Sequence, residues 1–275
     1  MGGSFAKALK AQNKYECEIW AIDPDQGAIS AALTEGSIDQ GASSDQGFLT
    51  NADLVIITLY PAAVADFIKT HAFKKGTVII EVSGIKTKVI NDLAGQMPED
   101  VDIIPVHPMA GRENKGYSYS SGSVFVGANF LIAPTPANKE ANLAFIEGLA
   151  KAMGFSRITR IAPHSHDRLI SYTSQLCHVI AVSLLNSDRN PEETRGFAGD
   201  SYRDLTRIGK INEDLWPQLF LGNKNYLLAS IEAFENEVSI LKEAILNDDV
   251  EILKERFIES TKRRIGFEES DHKLK

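Results

Sequence analysis

The order of two kinds of periodicity along the chain constrains its fold more than any other sequence feature. As far as about residue 161, short β-branched runs alternate with helical stretches, a pattern typical of parallel strands joined by crossover helices. After Pro163 no convincing strand follows, and long amphipathic segments continue to the end. We therefore expect an α/β plus all-α protein, with a parallel-sheet domain over 1–162 and a helical domain over 163–275.

Six strands are predicted in the first domain, and several are apolar on both faces, as expected for strands covered by helices on either side. They are Glu18–Ile22, Leu54–Leu59, Thr77–Val82, Asp102–Val106, Phe130–Pro134 and Ser156–Ile161. In the second domain, apolar residues recur at alternating intervals of three and four and define one stripe of a helix. These are Ile231, Phe234, Val238, Leu241 and Ile245. Such a stripe fits packing within its own chain as well as it fits a dimer seam.

Composition and charge argue against several classes of partner. The 275 residues carry a formal net charge of -8, so the net field attracts neither nucleic acid nor an anionic membrane. Cys17 and Cys177 are far apart and lack metal-ligand spacing, so neither a disulfide framework nor a metal site is indicated. No apolar run approaches the roughly 20 residues that cross a bilayer, and no signal pattern is present. We expect a cytoplasmic protein with a small-molecule ligand and no membrane or nucleic-acid partner.

Two glycines and one aspartate indicate a dinucleotide site. Gly2 and Gly3 run directly into a helix, and Asp23 follows Gly3 by 20 residues, at the end of a predicted strand. In Rossmann-like domains a glycine-rich turn precedes the first helix, and an acidic residue about 20 positions further on binds the adenosine ribose. Asp23 favours NAD over NADP, because a carboxylate there repels a 2'-phosphate. A glycine pair taken alone more often marks only a turn.

The Rossmann-like pattern also indicates that the first strand of the domain is missing. A Rossmann-like domain has a first strand and two further glycines before this helix, so we expect these upstream of Met1, as in a truncated chain or a late start. That strand is normally central. Its loss is predicted to expose two strand edges and to remove part of the pyrophosphate cradle, so full activity of the chain as given is not expected.

His107 is the leading catalytic candidate from its position. It leaves a predicted strand and enters a glycine-containing loop, and ligand sites of parallel sheets form beyond the strand ends. An isolated histidine is more often structural or solvated, but the surrounding loop favours a functional role.

Five motifs in order resemble the prephenate/arogenate dehydrogenase family. They are EVSGIK (Glu81 to Lys86), HPMAGRE (His107 to Glu113), His166-Asp167, SQLCH (Ser174 to His178) and DLTRI (Asp204 to Ile208). The resemblance spans nearly the whole chain. It implies a Rossmann-like domain, a helical domain that makes a homodimer, and a substrate site between them.

The resemblance also implies roles for individual residues. His107 accepts a hydrogen bond from the ring 4-hydroxyl and acts as the base while hydride passes to NAD. Arg207 binds a substrate carboxylate, for which a guanidinium is well shaped, and His178 lies near the substrate side chain. Glu113 helps to shape the pocket. His166 and Asp167 match a pair of family residues that support the active site.

One position departs from the family pattern. Relatives commonly have glycine-serine where this chain has Ser83-Gly84, and that serine contacts the catalytic histidine or the nicotinamide. We expect Ser83 to supply this hydroxyl from one position earlier, with a role in catalysis and a contact with the cofactor. A water molecule is the alternative.

The substrate choice turns on Gln175. Arogenate carries an amino acid side chain and prephenate a keto acid, and acidic residues near this position accompany arogenate preference in the family. We expect Gln175, one helical turn before His178, to contact the substrate and therefore to favour prephenate. Two alternative functions are weighed against this one. A β-hydroxyacid dehydrogenase would need a catalytic lysine in a matching motif, which is not found. A nucleotide-binding protein without turnover would fit the missing strand and Gly84.

Overall fold

The computed structural model describes residues 1–95, 98, 100–111 and 115–272. The chain divides into two compact units, Met1–Lys224 and Asn225–Lys275. Strands end at Arg160, and every regular element described from Pro163 onward is helical. The predicted boundary at 162/163 coincides with that change of secondary structure and stays a prediction, since the compact units divide elsewhere.

The described strands lie in the first unit and form two sheets. They are β1 (Trp20–Ile22), β2 (Gln40–Ala42), β3 (Leu54–Ile57), β4 (Val78–Glu81), β5 (Asp102–Pro108), β6 (Asn129–Ile132) and β7 (Arg157–Arg160). Parallel strands β1 and β2 form one sheet, and the order in the other is β3-β4-β5-β6-β7. Among the described residues, no strand pairing joins β1 to β3.

The helices of the first unit flank these strands and then follow them. They are α1 (Gly2–Ala11), α2 (Gln26–Thr34), α3 (Pro61–Thr70), α4 (Thr87–Leu93), α5 (Glu140–Ala152), α6 (Pro163–Ile170), α7 (Leu176–Asn186), α8 (Pro191–Thr194), α9 (Asp200–Thr206) and α10 (Trp216–Gly222). A π-helical turn, Ser171–Gln175, joins α6 to α7. Short 3-10 turns lie at Tyr117–Tyr119, Gly122–Phe125 and Arg207–Gly209.

Strand β4 shows why the larger sheet is buried on both faces. Its four residues are all buried, and their side chains alternate between two cores. Val78 and Ile80 face a core with Phe5 of α1 and Phe130 of β6, while Ile79 packs in a second core with Ile68 of α3. Continuous apolar sequence therefore gives a central strand whose carboxyl end is held firmly between layers.

Two features of the sheet differ from expectation. The prediction missed β2, because Gln40–Ala42 contains no β-branched residue. The expected parallel order is wrong at one position, since β6 runs antiparallel to β5, with Val106 opposite Ile132. A parallel neighbour needs a long crossover, usually a helix. The described part of the connection between β5 and β6 holds only two 3-10 turns, so the chain returns antiparallel.

One helical segment is longer and more apolar than the sequence pattern predicted. Pro163–Asn186, comprising α6, the π-helical turn and α7, is long and apolar enough by length and composition to cross a membrane. The expectation that no segment approaches that length is therefore wrong. Core helices pass the same test, and this one contains the buried His166 and Asp167. That the protein has no membrane partner stays a prediction.

The second unit contains most of α11 (Lys224–Leu246) and all of α12 (Val250–His272). Asp249 begins α12 as a cap, since its carboxylate accepts the amide proton of Ile252 at 3.0 Å. The predicted apolar stripe lies on α11, and several of its members are exposed, including Phe234, Val238 and Ile245. The stripe is thus not fully covered within the chain.

Candidate active site

The candidate active site lies where β4 and β5 end. These strands are parallel neighbours, so their carboxyl ends share one edge of the sheet. His107 is the penultimate residue of β5, and the loop after β4 brings Gly84 beside it. A methyl group added at Gly84 would lie 3.8 Å from Cε1 of His107. The structure therefore places the predicted base at a strand end, where ligand sites of such sheets form.

His107 begins a chain of hydrogen bonds that runs into α6. Its Nδ1 lies 2.9 Å from Nε2 of His166, and Nδ1 of His166 lies 2.8 Å from Oδ1 of Asp167. His166 is 0% exposed and Asp167 is 1% exposed. The Asp167 carboxylate also accepts the amide protons of Lys86 and Thr87, each at 2.8 Å. We call the three side chains the Asp167–His166–His107 relay.

The carboxylate at one end of the relay fixes the proton positions along it. An ionised carboxylate only accepts, so Nδ1 of His166 carries a proton, and Nε2 of a neutral His166 is an acceptor. Nδ1 of His107 therefore donates to His166, which leaves a lone pair on Nε2 of His107. Within the described part of the chain, that nitrogen has no hydrogen-bond partner. The relay thus presents a base to whatever lies beyond the strand end.

The surroundings favour this neutral state. Burial lowers the pKa of His107 well below its ordinary value, and the nearby His166 and Lys86 add to this against the opposing charge of Asp167. Burial also lowers the pKa of His166, although its hydrogen bond to Asp167 opposes the shift. For Asp167, burial raises the pKa, but the hydrogen bonds from His166 and Thr87 outweigh it and the net pKa is lowered. A carboxylate followed by two neutral imidazoles is the result.

Ser83 lies in the same loop but points its hydroxyl elsewhere. The hydroxyl donates to the carbonyl oxygen of Ile85 at 2.9 Å, and the amide donates to the carboxylate of Glu81. Gly84, and not Ser83, occupies the position next to His107. The catalytic and cofactor roles of Ser83 stay a prediction.

A buried amide pair braces the relay from α6 to α10. Asn223 donates one amide proton to the backbone carbonyl of Asp167 at 2.9 Å and one to Oε1 of Gln175 at 2.8 Å. Gln175 in turn donates to the carbonyl of Leu219 at 3.0 Å and is 1% exposed. Both ends of the Gln175 amide are thus bonded within the protein. Its predicted contact with substrate remains a prediction.

His178 lies on α7 against an aromatic ring. The ring centroids of His178 and Trp216 are 3.6 Å apart, and Nδ1 of His178 lies 2.9 Å from the carbonyl oxygen of Ser174. Because a carbonyl only accepts, that nitrogen carries the proton. Trp216 was not identified from the sequence, where an aromatic residue beside a proline gives no functional signal.

Arg207 lies on an exposed turn over the same face of α7. The turn Arg207–Gly209 packs so closely that a methyl group added at Gly209 would lie 2.3 Å from Cδ1 of Leu185 and 3.6 Å from the carbonyl of Ala181. His178, three residues before Ala181 and seven before Leu185, shares their helix face. The structure thus packs the turn that contains Arg207 against the side of α7 that carries His178. Convergence of both on a ligand at His107 stays a prediction.

The start of α1 fits the phosphates of a dinucleotide. Ser4 and Phe5 donate their amide protons to the carbonyl of Met1, whereas the amides of Gly2 and Gly3 have no backbone acceptor among the described residues. A methyl group added at Gly3 would lie 2.7 Å from Cδ2 of Tyr117, so packing also requires glycine there. Free amides at a helix N-terminus are suited to bind phosphate.

Asp23, the predicted ribose ligand, follows β1 and is exposed. Ala21 of β1 packs against a small apolar cluster that contains Ala6 of α1, so this strand lies beside the helix. Burial lowers the pKa of the Met1 amino group, and the charge of Asp23 partly offsets this. The binding roles of Gly2, Gly3 and Asp23 stay predictions.

Two further predictions have a different status. Glu113, predicted to shape the substrate pocket, lies outside the described residues. In the ranges 1–95, 98, 100–111 and 115–272, no three His, Cys, Asp or Glu side chains are grouped so that they could hold a metal ion.

Comparison with known proteins places the chain in a family. Residues 5–158 match the model of the prephenate dehydrogenase nucleotide-binding domain, and residues 162–259 match the model of the prephenate dehydrogenase dimerization domain. Both models describe domains of a dehydrogenase, so the class of protein is an oxidoreductase whose first domain binds a nucleotide. The chain belongs to the prephenate/arogenate dehydrogenase family.

Individual relatives agree with this assignment. The chain is 27% identical to the cyclohexadienyl dehydrogenase of Zymomonas mobilis over 100% of this chain and 95% of that one. It is 25% identical to the prephenate dehydrogenase of Bacillus subtilis, covering 97% of this chain and 73% of that one. The crystal structure of prephenate dehydrogenase from A. aeolicus, in complex with hydroxyphenyl propionate and NAD+, has a TM-score of 0.87 and 26% identity, covering 97% and 94% of the two chains.

Proposed function

We propose that the protein is an NAD-dependent prephenate dehydrogenase, which oxidises and decarboxylates prephenate to 4-hydroxyphenylpyruvate in tyrosine biosynthesis. The observation that carries the proposal is the Asp167–His166–His107 relay at the carboxyl ends of β4 and β5, from which we infer a lone pair on Nε2 of His107. The A. aeolicus structure, with NAD+ and a phenolic acid bound, supports both the cofactor and the substrate class.

The proposed chemistry needs one proton acceptor near the 4-hydroxyl of the ring. Nε2 of His107 takes the hydroxyl proton as hydride leaves C4, so that C4 becomes a carbonyl carbon. The bond from C1 to its carboxylate then breaks, CO2 leaves, and the electron pair makes the ring aromatic. The imidazolium returns its proton to the phenolate oxygen. Prephenate and NAD+ thus give 4-hydroxyphenylpyruvate, CO2 and NADH.

The relay suits this proton cycle. While His107 is protonated, its Nδ1 still donates to His166, and the buried carboxylate of Asp167 stabilises the positive charge through that neighbour. Since burial and neighbouring groups lower the pKa of His107, the base stays unprotonated at neutral pH. The ring is therefore ready to accept a proton at the start of each cycle.

Other residues would bind the two ligands. The free amides of Gly2 and Gly3 would hold the pyrophosphate, and Asp23 would bind the adenosine ribose and disfavour a 2'-phosphate. Bound NAD supplies a hydride acceptor at its nicotinamide. From the family resemblance, Arg207 would bind a substrate carboxylate, and His178 and Glu113 would line the pocket. A homodimer through the helical domain is part of the proposal, and the partly exposed stripe on α11 is compatible with it.

Steady-state assays test the activity. We expect NADH formation with prephenate, and a kcat/KM for arogenate at least about tenfold lower, which corresponds to roughly 1.4 kcal/mol of discrimination. A preference for arogenate would overturn the substrate choice. If the protein binds NAD but turns over neither compound, the enzyme proposal is wrong.

The role of His107 is tested by substitution. His107→Asn should lower kcat by roughly 10³-fold, because general-base catalysis contributes about 10² to 10⁴. His164→Asn is the matched control, since His164 is exposed on the same α6 that carries the relay. Equal kcat values for both variants would remove His107 from the mechanism.

A further inference from the structure

A lysine is completely buried beneath the loop that touches His107. Lys86 is 0% exposed, and its Nζ lies 2.6 Å from Oε2 of Glu81, itself 1% exposed. Nζ also donates to the backbone carbonyl of Glu81 at 3.3 Å. The other oxygen of that carboxylate accepts the amide proton of Ser83. The pair thus spans the loop from the end of β4 to the start of α4.

Such a pair is weak evidence for a purely stabilising role. Removing two charges from water is costly, and well-packed apolar residues often replace a buried ion pair without loss of stability. Burial lowers the pKa of Lys86, while the charge and hydrogen bond of Glu81 and the charge of Asp167 oppose this, so the carboxylate beside it favours the ammonium. The proton transfer described above does not use either side chain.

The position of Lys86 relative to the relay suggests what the charge does. The backbone amide of Lys86 donates to Oδ1 of Asp167, the oxygen that also receives the proton of His166. One residue therefore holds the relay carboxylate with its backbone amide, while its side-chain ammonium is buried on Glu81 in the same loop. The charged groups around His107 are Glu81 and Lys86 from the β4–α4 loop and Asp167 from α6, together with the titratable His166.

We propose that Lys86 is a positioning residue of the active site, whose ammonium, held by Glu81, acts together with burial to keep both imidazoles of the relay neutral and so preserves the proton order that leaves a lone pair on His107. The proposal rests on the proposed dehydrogenase function and deepens it. Without the cation, two carboxylates would face two imidazoles, and a proton gained at Nε2 of His166 would reverse the hydrogen bond between the two rings. The lowering of the pKa values of both histidines by Lys86 agrees with this arrangement.

The test replaces both members of the pair so that no lone charge is left buried. In Glu81→Gln/Lys86→Met, the pKa that limits kcat/KM on the acid side should rise by about one unit, because a nearby charge shifts a pKa by about one to three units. At a pH one unit below the new value, kcat/KM should be about tenfold below its plateau. Lys88→Met is the matched control, since Lys88 pairs with Asp92 at the surface and lies two residues away.

A second readout does not depend on turnover. In histidine-labelled protein, NMR titration should show the rings of His107 and His166 titrating at higher pH in the double variant than in the wild type and in Lys88→Met. An unchanged titration and an unchanged acid limb in a folded double variant would overturn the proposal, whatever its melting temperature. If the wild type turns over neither substrate, the proposed function is wrong. The NMR titration then still tests the role of Lys86.

The proposal stays falsifiable if the double variant does not fold. Lys86→Gln keeps a hydrogen-bond donor for Glu81 and leaves its carboxylate in place, so the upward shift should be at least as large. Wild-type protein alone also provides a test: an acid limb, or a His107 titration, at or above the ordinary histidine value of about 6.5 would overturn the proposal.

Discussion

The cofactor and the catalytic base lie at differently built ends of the proposed site. At the nucleotide end, defined by Gly2, Gly3 and Asp23, the available groups are two backbone amides and one exposed carboxylate. At the histidine end, defined by the Asp167–His166–His107 relay, buried side chains bond to one another in sequence. The first end depends on local chain geometry, whereas the second depends on long-range folding. Substitutions should therefore act on binding at the first end and on the chemical step at the second.

After His107→Asn, the largest effect should come from Asp167→Asn. Either orientation of the new amide sets an NH2 group against a donor, Thr87 on one side or Lys86 and His166 on the other. Because the relay then loses its fixed proton order, we expect kcat to fall roughly 100-fold with little change in KM for NAD. Steady-state kinetics at saturating NAD measure this.

Asp66→Asn is the control for that change, because Asp66 is exposed on α3. An Asp167→Asn enzyme with wild-type kcat would show that the buried relay is only structural, and the contrast between the two ends would disappear.

A smaller effect, of a different kind, is expected at Asp23. Asp23→Asn removes a charged acceptor for the ribose and the repulsion of a 2'-phosphate. Loss of a hydrogen bond to a charged group costs about 1.5 to 3 kcal/mol, so KM for NAD should rise by roughly tenfold or more, while kcat changes little and use of NADP improves. Initial rates at varied NAD and NADP measure this. Glu16→Gln, an exposed change in the loop before β1, should leave both unchanged; a fall confined to kcat at Asp23 would contradict the assignment.

The smallest effect concerns stability against pH. The folded pKa values of His107 and His166 are lowered, so below about pH 6.5 the unfolded chain binds protons that the native chain does not. Stability is therefore present above that pH and declines as pH falls toward the folded values, by up to about 1.4 kcal/mol per unit for each histidine. Urea unfolding between pH 7 and 5.5 measures this. His107→Asn should remove about half of the slope, and a flat wild-type midpoint would contradict the neutral relay.

Local patterns made much of the fold predictable. Strands β3, β4 and β5 were placed within two residues of their bounds, because continuous apolar runs bounded by turn residues are typical of buried parallel strands. The short strand Gln40–Ala42 was missed because its pairing with β1 comes from the fold and not from its side chains. The direction of β6 was missed for a similar reason, because it depends on how the chain between β5 and β6 packs in the fold.

The site shows the same division. His107 was recognisable because it follows a strand and begins a distinctive loop, and the adjacent pair His166 and Asp167 was recognisable from the family motifs. Asn223, which joins Asp167 to Gln175, gave no signal, because it lies 56 residues from one partner and 48 from the other. The motif containing Glu81 and Lys86 was recognised, but only burial shows that the two side chains form a pair.

The relay carboxylate has one further consequence. Helix α4 begins without a capping side chain of its own, and Asp167, about 80 residues later in the chain, accepts the amide protons of Lys86 and Thr87 at its start. These two protons are shielded only while α6 stays docked on the loop. The rate at which these two amides exchange with deuterium therefore measures how often α6 undocks from the loop. The measurement needs neither labelled protein nor a ligand.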